Sequence, residues 1–192
     1  AQHMPADTMK RAIQRGTGEI EGANYDEVLY EGTGPSGTLF LVEGMTDNRN
    51  RTVAELCKIF ERNNGVLGSS GTAGWAFDRL GTISLEASAV TEEQLMEAAL
   101  EAGAEDYRNE GDVWVVYTPV EDLFNVVAKF EEAKLPISES KIAYVPKTKK
   151  NVSGRDAEVC MNLAEALDDH DDVQNVFSDF DVSDEELARI TG

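Results

Sequence analysis

Hydrophobic positions recur with two different periods in the first half of the chain. Residues 25–31 and 38–43 have the composition of β-strands, and residues 32–37 between them are rich in glycine. Residues 51–62 instead place apolar side chains on one face of a helix. That face consists of Val53, Leu56, Cys57 and Phe60. The pattern predicts two strands joined by a turn and followed by an amphipathic helix.

From about residue 81 the pattern predicts a βαββαβ order of elements. Thr91 and Gln94 have the spacing of a helix-capping box, which marks the start of the first helix. The predicted strands are 82–86, 104–108, 113–118 and 142–145, and the second helix is 120–133. The predicted buried stripes are Leu95, Met96, Ala99 and Ala102 on the first helix, and Leu123, Phe124, Val127 and Phe130 on the second. This order is typical of a ferredoxin-like fold.

The last part of the chain adds one helix and one strand beyond a charged linker at 147–150. The helix is predicted over 156–167, the strand over 173–180, and a capped short turn at 183–186. If this helix and strand complete the sheet begun by the first two strands, the ferredoxin-like unit is an insertion. The predicted fold class is therefore α+β, a discontinuous α/β-sandwich domain that carries an inserted ferredoxin-like domain. The predicted boundaries are 23–78 with 151–192 for the discontinuous domain, and 79–150 for the insertion.

Charge limits the function classes that the chain fits. The 192 residues carry a net charge of −20, and residues 81–192 hold 26 Asp/Glu against 9 Lys/Arg. Because nucleic-acid binding by a whole surface requires a basic footprint, such binding is disfavoured. Lys10, Arg11 and Arg15 nevertheless form a small positive region near the start of the chain. No apolar run approaches 18 residues, so we expect no membrane partner.

The residues that usually support catalysis are sparse and scattered. The two histidines, His3 and His170, are far apart in sequence, and Cys57 and Cys160 form no C-x-x-C pair. Residues 168–172 are acidic but lack the ligand spacing of an EF-hand loop, so we predict a solvated turn. We therefore expect no enzyme activity, no cofactor and no metal.

Two glycine-rich segments are compatible with phosphate binding but are predicted to be connections. Residues 32–37 match G-x-G-x-x-G, yet a strand follows them where a dinucleotide fold would have a helix. Residues 64–74 lack the G-K-[ST] ending of a P-loop, and we predict a flexible connection there.

The run TDNRNRT at 46–52 has the composition of an anion-binding site. Its central residues are Asn48, Arg49, Asn50 and Arg51. A guanidinium binds phosphate through two parallel hydrogen bonds, and backbone N–H groups at a helix start also bind anions. Alternatively, Asp47 or Asn48 caps the helix and both arginines are solvated. The local pattern alone favours the second interpretation.

Several segments, in order along the chain, resemble the YebC/PmpR family. Residues 3–7 and 11–18 are similar to the family's N-M-P-x-D and R-A-I-x-R-G-x-G, 30–35 to Y-E-G-x-G-P, and 46–52 to T-D-N-R-N-R-T. Residues 65–71, 97–106 and 171–176 agree as well. The family's basic amino-terminal opening is missing, and His3 replaces its usual Asn. Residues 1–22 are thus expected to be the remnant of an N-terminal helical domain.

The resemblance implies a protein without known catalytic chemistry that acts on gene expression. Members are named DNA-binding transcriptional regulators or are translation factors, including the mitochondrial activator of cytochrome oxidase subunit I translation. The bacterial members are associated with relief of ribosomes stalled on proline-rich stretches. We therefore expect a monomeric, cytoplasmic translation factor that binds the ribosome through rRNA, with tRNA as a second candidate contact. An organellar matrix is the alternative location if a transit peptide has been removed.

The residues expected to contact RNA come from two segments. Arg49 and Arg51 would bind phosphate, and Asn48 and Asn50 would supply amide hydrogen bonds. Lys10, Arg11 and Arg15 would extend this surface, and Met4 and Pro5 would form a loop tip that enters a crevice. The alternatives are a transcriptional regulator that binds promoter DNA through the same arginines, and an adaptor that binds proteins through its acidic face.

Overall fold

The computed structural model describes residues 24–191, which contain ten strands and five α-helices. The strands are β1 (Asp26–Thr33), β2 (Leu39–Thr46), β3 (Val66–Leu67), β4 (Phe77–Glu86), β5 (Asp106–Asn109), β6 (Val113–Thr118), β7 (Ile137–Pro146), β8 (Lys150–Val152), β9 (Val173–Ser178) and β10 (Phe180–Val182). The helices are α1 (Arg49–Arg62), α2 (Glu92–Ala102), α3 (Leu123–Glu132), α4 (Gly154–Asp168) and α5 (Asp184–Thr191). The fold is α+β. No helix in the described range is both long and apolar enough to cross a membrane.

The described chain divides into two compact units. Residues 24–77 and 146–191 form a discontinuous unit, and residues 78–145 form a central unit. The discontinuous unit contains a four-stranded sheet in the order β3-β1-β2-β9, in which neighbours are antiparallel. Because β9 pairs with β2, the end of the chain completes the sheet that its beginning starts. A second, two-stranded sheet pairs β8 with β10 in parallel.

Helices α1 and α4 supply most of the core of the discontinuous unit. The core residues are Phe40, Val42, Leu56, Phe60, Leu163, Leu167 and Val173. The rings of Phe40 and Phe60 meet edge to face, with centroids 6.1 Å apart. A Cβ on Gly32 would lie 2.6 Å from the Phe60 ring. Gly32, the first glycine of the G-x-G-x-x-G match, therefore allows Phe60 of α1 to pack against β1. The predicted turn between two strands is confirmed, because β1 and β2 flank this segment.

The central unit has the βαββαβ order that the sequence predicts. Its sheet order is β5-β6-β4-β7, and β6 pairs antiparallel with both β4 and β5. The predicted capping box is present, because Gln94 N donates to Thr91 Oγ1 and Thr91 N donates to Gln94 Oε1. The core residues include Ile83, Leu85, Leu95, Trp114, Val116, Val126 and Phe130.

Two positions of the predicted helix stripes are wrong. Phe124 is 85% exposed and Met96 is 49% exposed. Each follows directly after a buried residue, Leu123 or Leu95, and consecutive helix positions point about 100° apart. The structure therefore buries one member of each pair and turns the other to solvent.

Several element boundaries also differ from the prediction. Helix α1 starts at Arg49, two residues before the predicted start at residue 51. Both arginines of the TDNRNRT run therefore belong to its first turn. Strand β4 starts at Phe77, five residues before the predicted strand at 82–86, and a 3₁₀ turn (Gly74–Ala76) precedes it. The predicted linker at 147–150 ends inside β8, and the last predicted turn is the helix α5.

The contrast between two phenylalanines of α3 gives a stability test. We expect Phe130→Ala to lower the free energy of unfolding by about 3–5 kcal/mol, because its fully buried ring would leave a cavity. Phe124→Ala should change it by about 0.5 kcal/mol or less, because that ring is already in water. Urea denaturation of both variants measures the difference. Equal losses for the two variants would contradict the assigned orientation of α3.

Candidate nucleic-acid interface

Helix α1 differs in charge from every other helix in the described range. It carries Arg49, Arg51, Lys58 and Arg62 against Glu55 and Glu61, a net charge of +2. The other four helices each have a net negative charge. Helix α1 buries Thr52, Leu56 and Phe60 and turns its opposite face to solvent. Helix α1 is therefore the one net-basic helix in the described range.

The TDNRNRT run closes on itself through its two threonines. The hydroxyl oxygens of Thr46 and Thr52 lie 2.7 Å apart, and both residues are buried. Thr46 Oγ1 also accepts a hydrogen bond from the backbone N–H of Asn48. These contacts hold the turn from β2 into α1, so the first and last residues of the run are structural.

Asn48 is the N-cap of α1. Its Oδ1 accepts a hydrogen bond of 3.0 Å from the backbone N–H of Arg51. Of the two predicted caps, Asp47 and Asn48, the structure uses Asn48. Because the oxygen of Asn48 is used in the cap, only its amide N–H₂ group remains for a ligand.

Arg51 is held by three carboxylates. Its Nη2 lies 3.0 Å from Asp172 Oδ2 and 3.2 Å from Asp47 Oδ1, and its Nε lies 3.9 Å from Glu55 Oε1. The hydrogen bond to Asp172, followed by that carboxylate's charge, raises the pKa of Arg51 above its ordinary value. Arg51 is thus an ion-paired side chain, whereas the sequence predicts a free one.

Arg49 and Asn50 are more available. The Nε of Arg49 pairs with Asp26 Oδ2 at 3.2 Å, but both side chains are more than half exposed. Asn50 is exposed and makes no side-chain hydrogen bond within residues 24–191. Further along the same helix, Lys58 and Arg62 are exposed and have no ion pair in that range. Sequence reasoning missed these last two, although their spacing places them on the face opposite the buried stripe.

Asp172 connects α1 to the acidic turn at 168–172. Its side chain is 13% exposed and accepts from Arg51 and from the hydroxyl of Thr52. Its backbone oxygen accepts from the N–H of Met45, so close to β2 that a Cβ on Gly44 would collide with it. The prediction of a solvated turn is therefore wrong for Asp172. Asp171, its neighbour, is exposed.

His170 and Glu55 lie beside Asp172, and the three side chains have the proximity of metal ligands. The Nδ1 of His170 accepts from the backbone N–H of Asp172, and its Nε2 lies 2.9 Å from Glu55 Oε1. Both ring nitrogens are therefore used inside the protein, and Arg51 neutralises Asp172. This arrangement stabilises the start of α1 and offers no vacant nitrogen ligand.

The glycine-rich segment at 64–74 is organised around one buried carboxylate. The Oε1 of Glu31 accepts from the N–H groups of Ala73 and Gly74 at 2.8 and 2.6 Å, and Oε2 accepts from Gly71 at 3.0 Å. Burial acts to raise the pKa of Glu31, but the three N–H groups outweigh it and hold the pKa below its ordinary value of 4.5. The loop does bind an anion through its backbone, as phosphate-binding loops do, but the anion is its own glutamate.

Five predicted site residues lie outside the described range. These are Met4, Pro5, Lys10, Arg11 and Arg15. Within that range, the structure brings Asn48, Arg49, Asn50 and Arg51 together at one end of α1.

Comparison with known proteins places this arrangement in a family. A family model described as the second and third domain of TACO1/YebC matches residues 25–180. The chain belongs to the TACO1/YebC family. The resemblance found in the sequence is thereby confirmed.

The similar proteins are named as regulators. A probable transcriptional regulatory protein of Acidithiobacillus ferrooxidans is 48% identical over 188 residues, covering 98% of this chain and 75% of that protein. One from Geobacter sulfurreducens is 44% identical over 190 residues, covering 99% and 76%. The crystal structure of a conserved hypothetical protein from Aquifex aeolicus is 38% identical, with a TM-score of 0.84 over 96% of this chain and 76% of that one.

The hydrogen bonds of Glu31 generate a pH-dependent prediction for this TACO1/YebC protein. We expect Glu31→Gln to lower the free energy of unfolding at pH 7 by about 2 kcal/mol, because an amide offers one acceptor oxygen where the carboxylate offers two. A carboxylate with a lowered pKa in the folded state stabilises the protein above its ordinary value of 4.5, and this contribution is lost as the pH falls through the folded-state pKa. Urea denaturation of wild type and variant from pH 7 to pH 3 should show a difference that shrinks below 4.5. A difference that stays constant with pH would contradict the assigned role of the carboxylate.

Two adjacent aspartates test the connection to α1. We expect Asp172→Ala to lower the free energy of unfolding by about 1–3 kcal/mol, because Thr52 and Arg51 lose their acceptor. Asp171→Ala removes the same charge from an exposed position and should cost about 0.5 kcal/mol or less. Thermal or urea unfolding at low and high salt measures both variants. Indistinguishable variants would mean that the turn is held by its backbone contacts alone.

Proposed function

We propose that this protein is a non-catalytic, ribosome-associated translation factor that contacts RNA through exposed basic side chains of α1. In the manner of YebC, it would assist elongation by relieving stalls on proline-rich stretches. Its partner would be rRNA, with tRNA as a second candidate, and its location would be the cytoplasm or an organellar matrix. Arg49, Asn50, Lys58 and Arg62 would supply the contacts from the described range.

The charge reversal on α1 carries this proposal. In a chain of net charge −20, most surfaces repel a polyanion, and the one net-basic helix of the described range is where approach is favourable. This helix presents guanidinium and ammonium groups, which bind phosphate oxygens, together with an amide that hydrogen-bonds to sugars or base edges.

The ion pairs of Arg49 and Arg51 differ in how easily a phosphate can replace the carboxylate. The pair between Arg49 and Asp26 is exposed, and such pairs contribute about 0–1 kcal/mol, so a phosphate can replace the carboxylate. Arg51 is different, because Asp172 is nearly buried and would lose a partner. We therefore assign Arg49 a direct role in phosphate binding, and Arg51 the role of positioning the turn.

The charge distribution favours RNA on the ribosome over free duplex DNA. A duplex-binding surface gains most of its affinity from many simultaneous phosphate contacts. A helix with three available basic side chains, Arg49, Lys58 and Arg62, offers few of them. A ribosome presents shaped RNA next to proteins, where a few local contacts are sufficient if other surfaces also fit.

A DNA-binding transcriptional regulator is the second candidate. The curated relatives are named probable transcriptional regulatory proteins, which favours it. It would use the same arginines on promoter DNA. A protein-binding adaptor that uses the acidic surface is the third class, and it predicts no effect of the α1 side chains.

Ribosome sedimentation with matched charge variants tests the proposal. We expect Arg49→Ala/Lys58→Ala to lower the ribosome-bound fraction at least severalfold, because two phosphate contacts are lost. The salt dependence should also become shallower by about 1.4 in the slope of log affinity against log salt, at about 0.7 for each contact to single-stranded RNA. Lys129→Ala/Lys141→Ala removes the same charge from exposed positions of the central unit and should leave binding unchanged.

The outcomes test the proposed function, the specificity of the charge effect and the separate roles of Arg49 and Arg51. Wild-type protein that stays out of the ribosome fractions, but shifts promoter DNA at physiological salt, would replace our proposal by the transcriptional one. Equal losses in both double variants would indicate a nonspecific charge effect. Arg51→Ala distinguishes positioning from contact, because it should lower both stability and binding, whereas Arg49→Ala should lower binding alone.

A further inference from the structure

The segment at 63–77 is unlike the rest of this acidic chain. It is the longest run without a charged side chain, 15 residues between Arg62 and Asp78. At its end, Trp75 exposes 68% of its surface. The other tryptophan of the chain, Trp114, is 9% exposed and lies in the core of the central unit. A large aromatic side chain in water needs an explanation, because burying it would stabilise the protein.

Trp75 is held in a defined position. Its indole Nε1 donates to the backbone oxygen of Thr72 at 3.1 Å. The N–H and the hydroxyl of Thr72 both donate to the backbone oxygen of Ser69, which closes the loop behind it. Glu31 accepts from the N–H groups on both sides of Thr72 and so anchors this loop to β1.

With its N–H group used inside the loop, Trp75 can bind a ligand only through its aromatic ring. That N–H is the only hydrogen-bond donor of the side chain, so the exposed ring can be recognised only through its aromatic surface. A fixed, exposed aromatic face is the element on which unpaired nucleobases stack, and stacking tolerates any base because every base has a π face.

The absence of charge in the segment disfavours an acidic or basic peptide as the ligand of Trp75. The 15 residues of the segment include no carboxylate that would repel the phosphates flanking a stacked base, and the exposed Asp78 follows them. The Glu31 carboxylate, which packs against the loop, is buried and accepts hydrogen bonds from three backbone N–H groups. A peptide ligand would instead be recognised through charge pairs or an apolar pocket, and this uncharged loop supplies no charge for such pairs.

We propose that Trp75 is a stacking platform for an unpaired nucleobase of RNA. The inference rests on the proposed function for its ligand class, but it assigns a contact that does not depend on the basic residues of α1. The loop at 68–76 would place one base on the ring, and the hydroxyls of Ser69 and Ser70 are exposed beside the same turn as donors to the adjoining phosphate or ribose. The glycine-rich connection would therefore be an ordered loop that holds the Trp75 ring in position for the ligand.

Tryptophan fluorescence of the full chain tests the stacking. Single-stranded RNA hexamers of adenosine should quench the emission of Trp75, and an abasic hexamer with the same ribose-phosphate backbone should not. Trp75→Ala should remove the quenching and weaken binding by about tenfold, within the range expected for loss of one stacked base. Trp75→Phe should retain most of the affinity, and Val66→Ala, at another exposed apolar position of the segment, should bind as wild type.

The possible results are distinct for the two proposals. Equal quenching by the abasic hexamer, unchanged affinity of Trp75→Ala, or no quenching at any RNA concentration would each overturn the stacking. Unfolding of each variant is monitored so that a loss of binding is compared only between folded proteins. If the adenosine hexamer quenches Trp75 but wild-type protein does not sediment with ribosomes, the stacking stands and the ribosomal role fails. If the protein sediments with ribosomes but Trp75→Ala sediments and binds hexamers equally well, only the stacking fails.

Discussion

The discontinuous unit depends on the contact between the end of β2 and the turn at 168–172. The Asp172 carboxylate accepts a hydrogen bond from the hydroxyl of Thr52 and forms an ion pair with Arg51. Its backbone oxygen accepts a hydrogen bond from the N–H of Met45. These bonds join segments about 120 residues apart. Ordering such distant segments has a large entropic cost, which β-pairing and a shared core of phenylalanine and leucine side chains must offset.

The same contact explains why a motif that looks like an anion site is mainly structural. Five of the seven residues of the TDNRNRT run are used in the turn: Thr46 and Thr52 meet, Asn48 caps α1, and Arg51 pairs with Asp47 and with Asp172. Only Arg49 and Asn50 remain largely available for a ligand. A functional surface is then obtained by extension along the helix to Lys58 and Arg62, at positions that the core does not use.

Glu31 has a comparable double effect on the glycine-rich loop. Backbone N–H groups that could bind phosphate are instead occupied by its carboxylate, and the loop is fixed as a result. Rigidity of this kind lowers the entropic cost of presenting a side chain to a ligand. The two candidate contact sites, the α1 face and Trp75, therefore both rest on carboxylates that satisfy internal donors.

The sequence by itself determined the α+β class, the βαββαβ order, the capping box of α2 and the family, because local periodicity and ordered motifs carry that information. It placed Phe124 and Met96 in the core wrongly, since adjacent apolar residues at a helix face cannot be separated without knowing which direction faces the sheet. It also could not show that Asp172 accepts from Thr52 or that Glu31 occupies the glycine-rich loop. Those partners are about 40 to 120 residues apart, and only the pairing of β9 with β2 and the folding of the loop over β1 bring them together. Tertiary structure thus decided which charges are used internally and which remain for a partner.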